Sequence, residues 1–472
     1  MNYNNLFKLN IVVNIMKDID LATEYDKATK KLVDKYPGYA YSYAQYPHQG
    51  MWSGVIGEAD LKKALINLNE YKPDTQSLLY VHLPFCPKIC YYCACPKLES
   101  HNYKNVEGYL DGLHGEVDLF KDFFARNLID PKIKEIHFGG GSPTYLRNKD
   151  LDSLVDCLKG IVDFSGINEF AIEVDPRQVN KKRMEFLSSI GISRISFGVQ
   201  DFNLDVQRAV NRVQPPELIE KLLVPEIRSY FNGVNFDILH GLPRQTIGSF
   251  NETISKVIEL SPDRITLIKF QYDPCEYPNQ KMINSGELPT ALDDVIMFEQ
   301  SSERLMREGY KRVGFEHFVQ PTDRLYELWE SGNFNWNQGG YSAGDANKII
   351  GIGLGSSSRI TDDYYFKNEG TLTGYNEKVS EGRFPVEKGW KLSEDDKIRR
   401  DVSMGIRSKL ELDFCDIGEK YNINFNRYFA DEVSMLGDFV DDGIIRLSED
   451  VLKLTERGMP FVGYVSKVFD VY

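Results

Sequence analysis

Four of the chain's seven cysteines fall within ten residues, in the stretch Cys86-Pro-Lys-Ile-Cys90-Tyr-Tyr-Cys93-Ala-Cys95. A cubane iron–sulfur cluster takes one thiolate per iron, usually four in all. A tight Cys-x3-Cys-x2-Cys loop can supply three, from Cys86, Cys90 and Cys93. One iron then stays open, and an open position is what a metal centre needs to act on a substrate. S-adenosylmethionine can fill that position through its amino and carboxylate groups. An electron passed into its sulfonium breaks a C–S bond and leaves methionine and a 5′-deoxyadenosyl radical. Structural zinc is the competing use of clustered cysteines, but it shows paired Cys-x2-Cys knuckles or distant His partners. The sequence has no second knuckle. Cys95 is a poor fourth ligand, because one intervening residue gives it little reach around the cube. Cys157, Cys275 and Cys415 read as ordinary buried or surface residues. An odd, clustered set of cysteines fits a reducing compartment better than a disulfide framework.

The elements around this loop must place it at one end of a sheet. Six apolar, strand-like runs lie at Leu78–Pro84, Ile133–Gly140, Glu169–Pro176, Arg194–Gln200, Val234–Gly241 and Arg264–Asp273. Segments of helical period separate them. In one, Val106, Tyr109, Leu110, Leu113, Val117 and Phe120 stand three or four apart. Strands alternating with helices imply βαβ units and a parallel sheet, here a partial (β/α)6 barrel of the α/β class. The site of such a barrel lies at the C-terminal strand ends. The cysteines follow the first strand, Gly139-Gly140-Gly141 ends the second, and Glu173, Gln200 and Asp237 end the next three. After Gly370 the pattern turns mostly helical, with helices expected at Asp395–Lys409 and Phe425–Asp441 and a hairpin at Gly443–Thr455. The expected division is an N-terminal covering segment over 1–75, a barrel with its extension over 76–384 and a mostly helical C-terminal domain over 385–472.

The chain has 472 residues and a net charge of −14, which argues against a nucleic-acid footprint. No stretch is long and apolar enough to span a bilayer. The run Leu9–Met16 is short, broken by Asn and lacks a small-residue cleavage site, so it makes a poor signal peptide. Met16 is an alternative start. A cytoplasmic protein is expected.

Further motifs join the cysteine loop in a resemblance. Tyr80-Val-His-Leu-Pro-Phe-Cys86, His137-Phe-Gly-Gly-Gly-Ser-Pro-Thr-Tyr-Leu146, Glu173-Val-Asp-Pro-Arg177, Gly198-Val-Gln-Asp-Phe-Asn203, Val210-Asn-Arg212 and Asp237-Ile-Leu-His-Gly-Leu-Pro243 resemble the oxygen-independent coproporphyrinogen III oxidase family of radical SAM enzymes. The likeness continues through Glu316-His-Phe318 and Arg400-Asp-Val402 to Phe469-Asp470. It implies a 4Fe-4S cluster and two molecules of S-adenosylmethionine. By that resemblance Tyr80, Tyr92, Gly140 and Glu173, joined by Ser357, hold the first molecule. Gly141, Ser142, Gln200, Arg212 and Asp237 hold the second, with Gln271 nearby. Cys95 and Tyr80 are the candidates for a catalytic role. A reduced flavodoxin- or ferredoxin-type electron donor and a monomeric state are the implied partners and assembly.

Three segments depart from the family. Its Arg-Tyr-Thr-Ser-Tyr-Pro-Thr stretch reads Gly38-Tyr-Ala-Tyr-Ser-Tyr-Ala-Gln-Tyr-Pro47 here, without the Arg. Its Asn-Tyr-Ala-His-Leu-Pro is Lys269-Phe-Gln-Tyr-Asp-Pro274, and its Phe-Gln-Gly-Tyr is Gln338-Gly-Gly-Tyr341. Arg is the natural bidentate partner of a carboxylate. Its loss points to the same radical chemistry on another molecule. The reading preferred on sequence is therefore a HemN-type class C methyltransferase acting on a conjugated ring such as menaquinone, bound among Tyr41, Tyr43, Tyr46 and Tyr272. The alternatives are a coproporphyrinogen III oxidase and a non-catalytic haem-binding chaperone. An intact second-ligand set weighs against the last.

Overall fold

The computed structural model describes residues 27–37, 46–68, 76–332, 334–337, 340–343 and 348–472. Six strands form the core of the sheet: β1 (Ser77–Leu83), β2 (Ile133–Gly140), β3 (Glu169–Val174), β4 (Arg194–Gln200), β5 (Gly233–His240) and β6 (Arg264–Lys269). They pair in chain order, all parallel. Helices cross between them: α1 (Tyr103–Asn127), α2 (Asn148–Leu158), α3 (Lys181–Ser189), α4 (Pro216–Leu222) and α5 (Ile247–Leu260). Each crossover returns the chain to the same edge, which is why the C-terminal strand ends share one rim.

The strands alternate in a way that sets the site. Outward positions such as Ile172, Phe197, Phe236 and Ile265 are fully buried in the main core. Burying side chains of this size contributes roughly 1.5–3 kcal/mol each. Inward positions are polar: Glu169, Glu173 and Asp175 on or just after β3, Arg194, Ser196 and Gln200 on β4, Asn235 and Asp237 on β5, and Arg264 and Thr266 on β6 line one cavity. The barrel therefore has a polar lumen inside an apolar wall. Its far end is closed by ion pairs. Arg194 Nε donates to Glu169 at 2.8 Å, and Arg264 Nε donates to Asp323 at 3.0 Å. Arg194 Nη2 also reaches Asp323, at 3.3 Å.

The sheet is wider than six strands. Helix α6 (Ala291–Arg307) leads to β7 (Lys311–Val313) and β8 (His317–Val319), and β8 pairs antiparallel with β6. On the other edge β9 (Lys348–Ile352) pairs parallel with β1, followed outward by the antiparallel β10 (Ser357–Thr361), β11 (Tyr364–Asn368) and β12 (Val386–Lys391). The full order is β12-β11-β10-β9-β1-β2-β3-β4-β5-β6-β8-β7. Strand β12, which the sequence places with the C-terminal domain, is the edge of the large sheet. Its Val-Glu-Lys-Gly-Trp-Lys run is short and charged, as suits an edge strand. Of the described N-terminal segment, Tyr36 meets the C-terminal region, where it stacks on Phe439 at 5.1 Å and donates to Asp442 at 2.7 Å, and the stretch around Trp52 packs on this antiparallel flank. There Trp52 stacks on Tyr365 at 5.3 Å and Ser53 bridges to Gly389.

The C-terminal region is helical around a small three-stranded sheet of Glu411–Asp413, Val451–Leu454 and Ile445–Leu447. Helix α7 (Glu394–Lys409) starts on a capping box between Ser393 and Asp396. The span expected as one helix over Phe425–Asp441 is three short ones, Phe425–Tyr428, Ala430–Met435 and Gly437–Asp441. Phe429 leaves helical geometry (φ −106°, ψ 36°) and buries its ring against Phe425 and Phe469. Packing there outweighs local helix propensity. No helix among the described residues is long and apolar enough to cross a membrane.

Candidate active site

The cysteine loop leaves β1 through Pro84 and is held open by its surroundings. Its first residues, Phe85–Cys86, pair with Leu98–Glu99. Tyr91 N donates to Val210 O at 3.0 Å, and Asn211 Nδ2 donates to Ile89 O at 2.9 Å. Asn279 Nδ2 reaches the carbonyls of Tyr91 and Cys93 at 2.9 and 3.0 Å. Lys97 Nζ also donates to Cys93 O, at 2.9 Å. These bonds fix an irregular loop so that Cys86, Cys90, Cys93 and Cys95 all line one cavity of about 590 Å³.

The wall opposite is a glycine cradle. Gly140 has φ +113°, and a Cβ there would meet the His82 ring at 2.4 Å. A Cβ on Gly141 would meet the Pro84 backbone at 2.5 Å, and one on Gly139 would meet Glu173 Oε1 at 2.6 Å. Only glycine lets this strand end come so close to the loop. Gly140 N and His137 Nε2 both bond the Glu173 carboxylate at 3.2 Å, which fixes its orientation. Burial pulls His137 down, but the Glu173 charge outweighs it and holds the imidazole above its ordinary value. Asp237 accepts from Ser196 Oγ at 2.9 Å and Asn235 Nδ2 at 2.8 Å. Burial, aided by the Glu173 charge, pushes its carboxyl up to about 6.

Gln200 sits at φ 67°, in the left-handed region that non-glycine residues rarely adopt. The strand is irregular there, with a register shift between Gly198 and Gln200. Strain of this kind persists where surrounding structure imposes it, often at ligand sites. Ser142 Oγ accepts from Gln178 Nε2 at 2.8 Å. Arg212 Nη2 donates to Gly198 O at 2.7 Å, and Arg212 Nη1 points to Cys90 Sγ at 3.5 Å.

The cavity thus gathers Cys86, Cys90, Cys93, Cys95, Tyr92, Gly140, Gly141, Ser142, Glu173, Gln200, Arg212, Asp237 and Gln271. Tyr80 and Ser357, also expected there, are not among the residues that line it. Tyr80 OH bonds His82 Nδ1 at 3.1 Å, and its ring lies 5.7 Å from that of His137. Ser357 Oγ accepts from Gln49 of the N-terminal segment at 2.9 Å. Of the aromatic pocket expected among Tyr41, Tyr43, Tyr46 and Tyr272, only Tyr46 and Tyr272 are among the described residues. Tyr46 is buried against Tyr472, and Tyr272 packs with Phe270 and its neighbours. Neither lines the cavity. Tyr41, Tyr43 and Gln338 lie outside the described residues.

Sequence reasoning missed several residues. Gln280, fully buried, donates to the carbonyls of Tyr92 and Gln271 at 3.2 and 3.0 Å and so ties the cysteine loop to the end of β6. His137, Asp175 and Arg177 also belong to the wall. The period-two run of polar residues within otherwise apolar strands was the available signal for the lumen-facing ones.

The four thiols are free. Burial raises the Cys86 thiol to about 12, while a hydrogen bond from Cys95 is the main reason that Cys93 falls to about 7. Among the described residues no three His, Cys, Asp or Glu side chains converge as they would around a single ion. Thiolates that each take a different iron of a cluster stand further apart. The donor set and the glycine cradle beside it fit a 4Fe-4S cluster with a bound ligand.

Comparison with known proteins agrees. Residues 80–257 match the radical SAM superfamily, and residues 392–461 match the HemN C-terminal domain. The oxygen-independent coproporphyrinogen III oxidase of Salmonella typhimurium is 32% identical over 93% of this chain and 94% of its own. That of Pseudomonas aeruginosa is 33% identical over 96% of each. The solved structure described as coproporphyrinogen III oxidase (HemN) from Escherichia coli, a radical SAM enzyme, superposes with a TM-score of 0.83. It is 32% identical and covers 91% of this chain and 97% of that one. A radical SAM enzyme implies a 4Fe-4S cluster and S-adenosylmethionine, and Cys86, Cys90, Cys93 and Cys95 line the cavity within that match. The chain belongs to the HemN family of radical SAM enzymes.

Proposed function

We propose that the protein is an oxygen-independent coproporphyrinogen III oxidase, which turns propionate side chains of the porphyrinogen into vinyl groups with loss of CO2. The observation that carries this reading is the charge of the cavity at its cluster end. Lys88, Lys97, Arg177 and Arg212 line it there, against the carboxylates Asp175 and Glu173. Lys88 is exposed, while Arg177 and Arg212 are largely buried, and cations grouped in this way suit a substrate that bears several carboxylates. The relatives of similar length carry the same enzyme name. The methyltransferase reading needed an aromatic pocket, and its two described tyrosines stand outside the cavity. It is set aside.

The cluster and S-adenosylmethionine, when bound, supply the 5′-deoxyadenosyl radical that takes a hydrogen atom from a propionate. Loss of CO2 and of one electron to an external acceptor then leaves the vinyl group. The chain's own part is to bind and orient. Glu173, held by Gly140 N and His137, offers its free lone pairs to the ammonium or hydroxyl groups of S-adenosylmethionine. Gly141, Ser142, Gln200, Arg212 and Asp237 extend the wall beyond that position, which supports a second molecule. The ion pairs of Arg194, Arg264, Glu169 and Asp323 keep the far end of the lumen shut.

The test is anaerobic turnover after reconstitution with iron and sulfide, with reductant, S-adenosylmethionine and coproporphyrinogen III. CO2 release with formation of vinyl-bearing product supports the reading. A methylated menaquinone with S-adenosylhomocysteine, or haem binding without turnover, overturns it.

A further inference from the structure

Arg177 is not among the ligands that the family resemblance implies, yet it stands at the cluster loop. Its Nη2 lies 4.0 Å from Cys90 Sγ, and Arg212 Nη1 lies 3.5 Å from the same sulfur. Asp175 sits between the two guanidinium groups. It accepts from Arg177 Nη2 at 2.6 Å and Nε at 2.9 Å, and it stands 3.6 Å from Arg212 Nη1. The arrangement is rigid. Asp175 caps the short turn Pro176–Gln178, with Arg177 N donating back to it at 3.0 Å. Gln178 Nε2 bridges Asp175 Oδ2 at 3.0 Å and Ser142 Oγ at 2.8 Å, so the group is tied to the cofactor wall. Side-chain exposure is 20% for Arg177, 10% for Arg212 and 7% for Asp175, so water screens these charges poorly.

Hydrogen bonds to cluster sulfurs, and the charge around them, set the reduction potential of an iron–sulfur centre. Reduction adds one negative charge, which nearby cations stabilise, the more so away from bulk water. Two cations and one anion beside Cys90 leave a net positive charge. We propose that Arg177, Arg212 and Asp175 form a charge clamp on the Cys90 thiolate that raises the cluster's reduction potential, with Arg177 the adjustable member and Asp175 its counterweight. This makes the resting centre easier for an external donor to reduce. The proposal rests on the cluster assignment and not on the choice of substrate.

The clamp has two arms of opposite sign. Arg177→Gln removes a cation and a donor to sulfur, so the midpoint potential should fall. Asp175→Asn removes the counterweight while keeping the side chain's size, so the potential should rise. Arg177→Lys keeps the charge without the planar fork and should fall between Arg177→Gln and the parent. Each protein is reconstituted anaerobically, its iron and sulfide measured, and its reduced cluster titrated by EPR against redox mediators. With the cell held at the parent's midpoint, the reduced fraction should drop below half in Arg177→Gln and exceed half in Asp175→Asn. Unchanged potentials in variants with a full cluster overturn the clamp. Shifts of the same sign overturn it too. If Arg177→Gln fails to hold a cluster, Asp175→Asn decides. Cluster loss in both also counts against the clamp, since tuning does not require them for assembly. A parent protein that binds no cluster contradicts instead the assignment on which the clamp rests.

Discussion

Replacing Gly141 by alanine tests how tightly the glycine strand end is coupled to the cysteine loop. Gly141 N donates to Leu83 O at 2.9 Å and Ser142 N donates to Phe85 O at 2.9 Å, so this turn is stitched to the segment that leads into Cys86. An added Cβ would stand 2.5 Å from the Pro84 carbonyl carbon and oxygen and 2.9 Å from Phe85 N, where 3.4–4 Å is ordinary contact. The obstacle is backbone and no rotamer relieves it, so the two segments must part by about an ångström. Overpacking of this kind costs roughly 1–3 kcal/mol. Displacing a positioned reactant by about 1 Å can cost on the order of a hundredfold in rate. Gly141 has no positive φ, unlike Gly140, so the clash alone carries the effect. The assay is reductant-driven release of 5′-deoxyadenosine per mole of bound cluster, with Gly57→Ala as the control because nothing lies within 4 Å of its added Cβ. Gly141→Ala should release it at least about tenfold more slowly, the ratio set by a barrier about 1.4 kcal/mol higher. A rate equal to that of the control variant refutes the coupling.

Three further outcomes follow from buried groups and from the cysteines. Glu116 bridges helix α1 to Gly353 N, Asn368 and Tyr375, and burial pushes its carboxyl from 4.5 up to about 7. A raised carboxyl value favours the fold when protonated, so its contribution is full below about pH 4.5 and lost as pH rises through about 7. Urea denaturation of wild type and Glu116→Gln at both ends of that window should differ by about 3 kcal/mol in their pH response, and parallel curves would contradict it. Asp294 accepts from His240 at 2.6 Å and pairs with Lys269 at 2.8 Å, all buried or nearly so. Asp294→Ala should lower the first unfolding transition by about 3–5 kcal/mol, and an unshifted transition would mean the network is not structural. Cys157→Ser, Cys275→Ser and Cys415→Ser should leave the iron content of reconstituted protein intact, while Cys86→Ala should abolish the cluster. The reverse pattern would overturn the ligand assignment.

Much of the barrel was legible because its strands are short and mostly apolar, and β2, β3, β4 and β5 end on or run directly into Gly or Asp. Ile133–Gly140 and Arg194–Gln200 match the observed strands residue for residue, and the other four shift by a residue at the start or lose a few at the end. The sheet's extension was not legible. Strand β9 lies far along the chain from β1, which it joins at residues 77–81, and local periodicity carries no information about such closure. The cysteines and glycines announced themselves by spacing. Asp175, Arg177 and Gln280 did not, since single polar residues acquire meaning only when folding brings them to a common wall. The reading of the substrate-side tyrosines met the same limit. Tyrosines near Pro47 and after β6 looked like a ring pocket in one dimension, but Tyr46 packs against Tyr472 and Tyr272 against Phe270, and neither lines the cavity.

The most direct test of the central claim is EPR spectroscopy of the reconstituted, reduced protein before and after addition of S-adenosylmethionine. The expected result is the spectrum of a reduced 4Fe-4S cluster that changes when S-adenosylmethionine occupies the open iron, and that disappears in Cys86→Ala, Cys90→Ala and Cys93→Ala. A cluster spectrum indifferent to S-adenosylmethionine, or one that survives loss of any of those three cysteines, would contradict it.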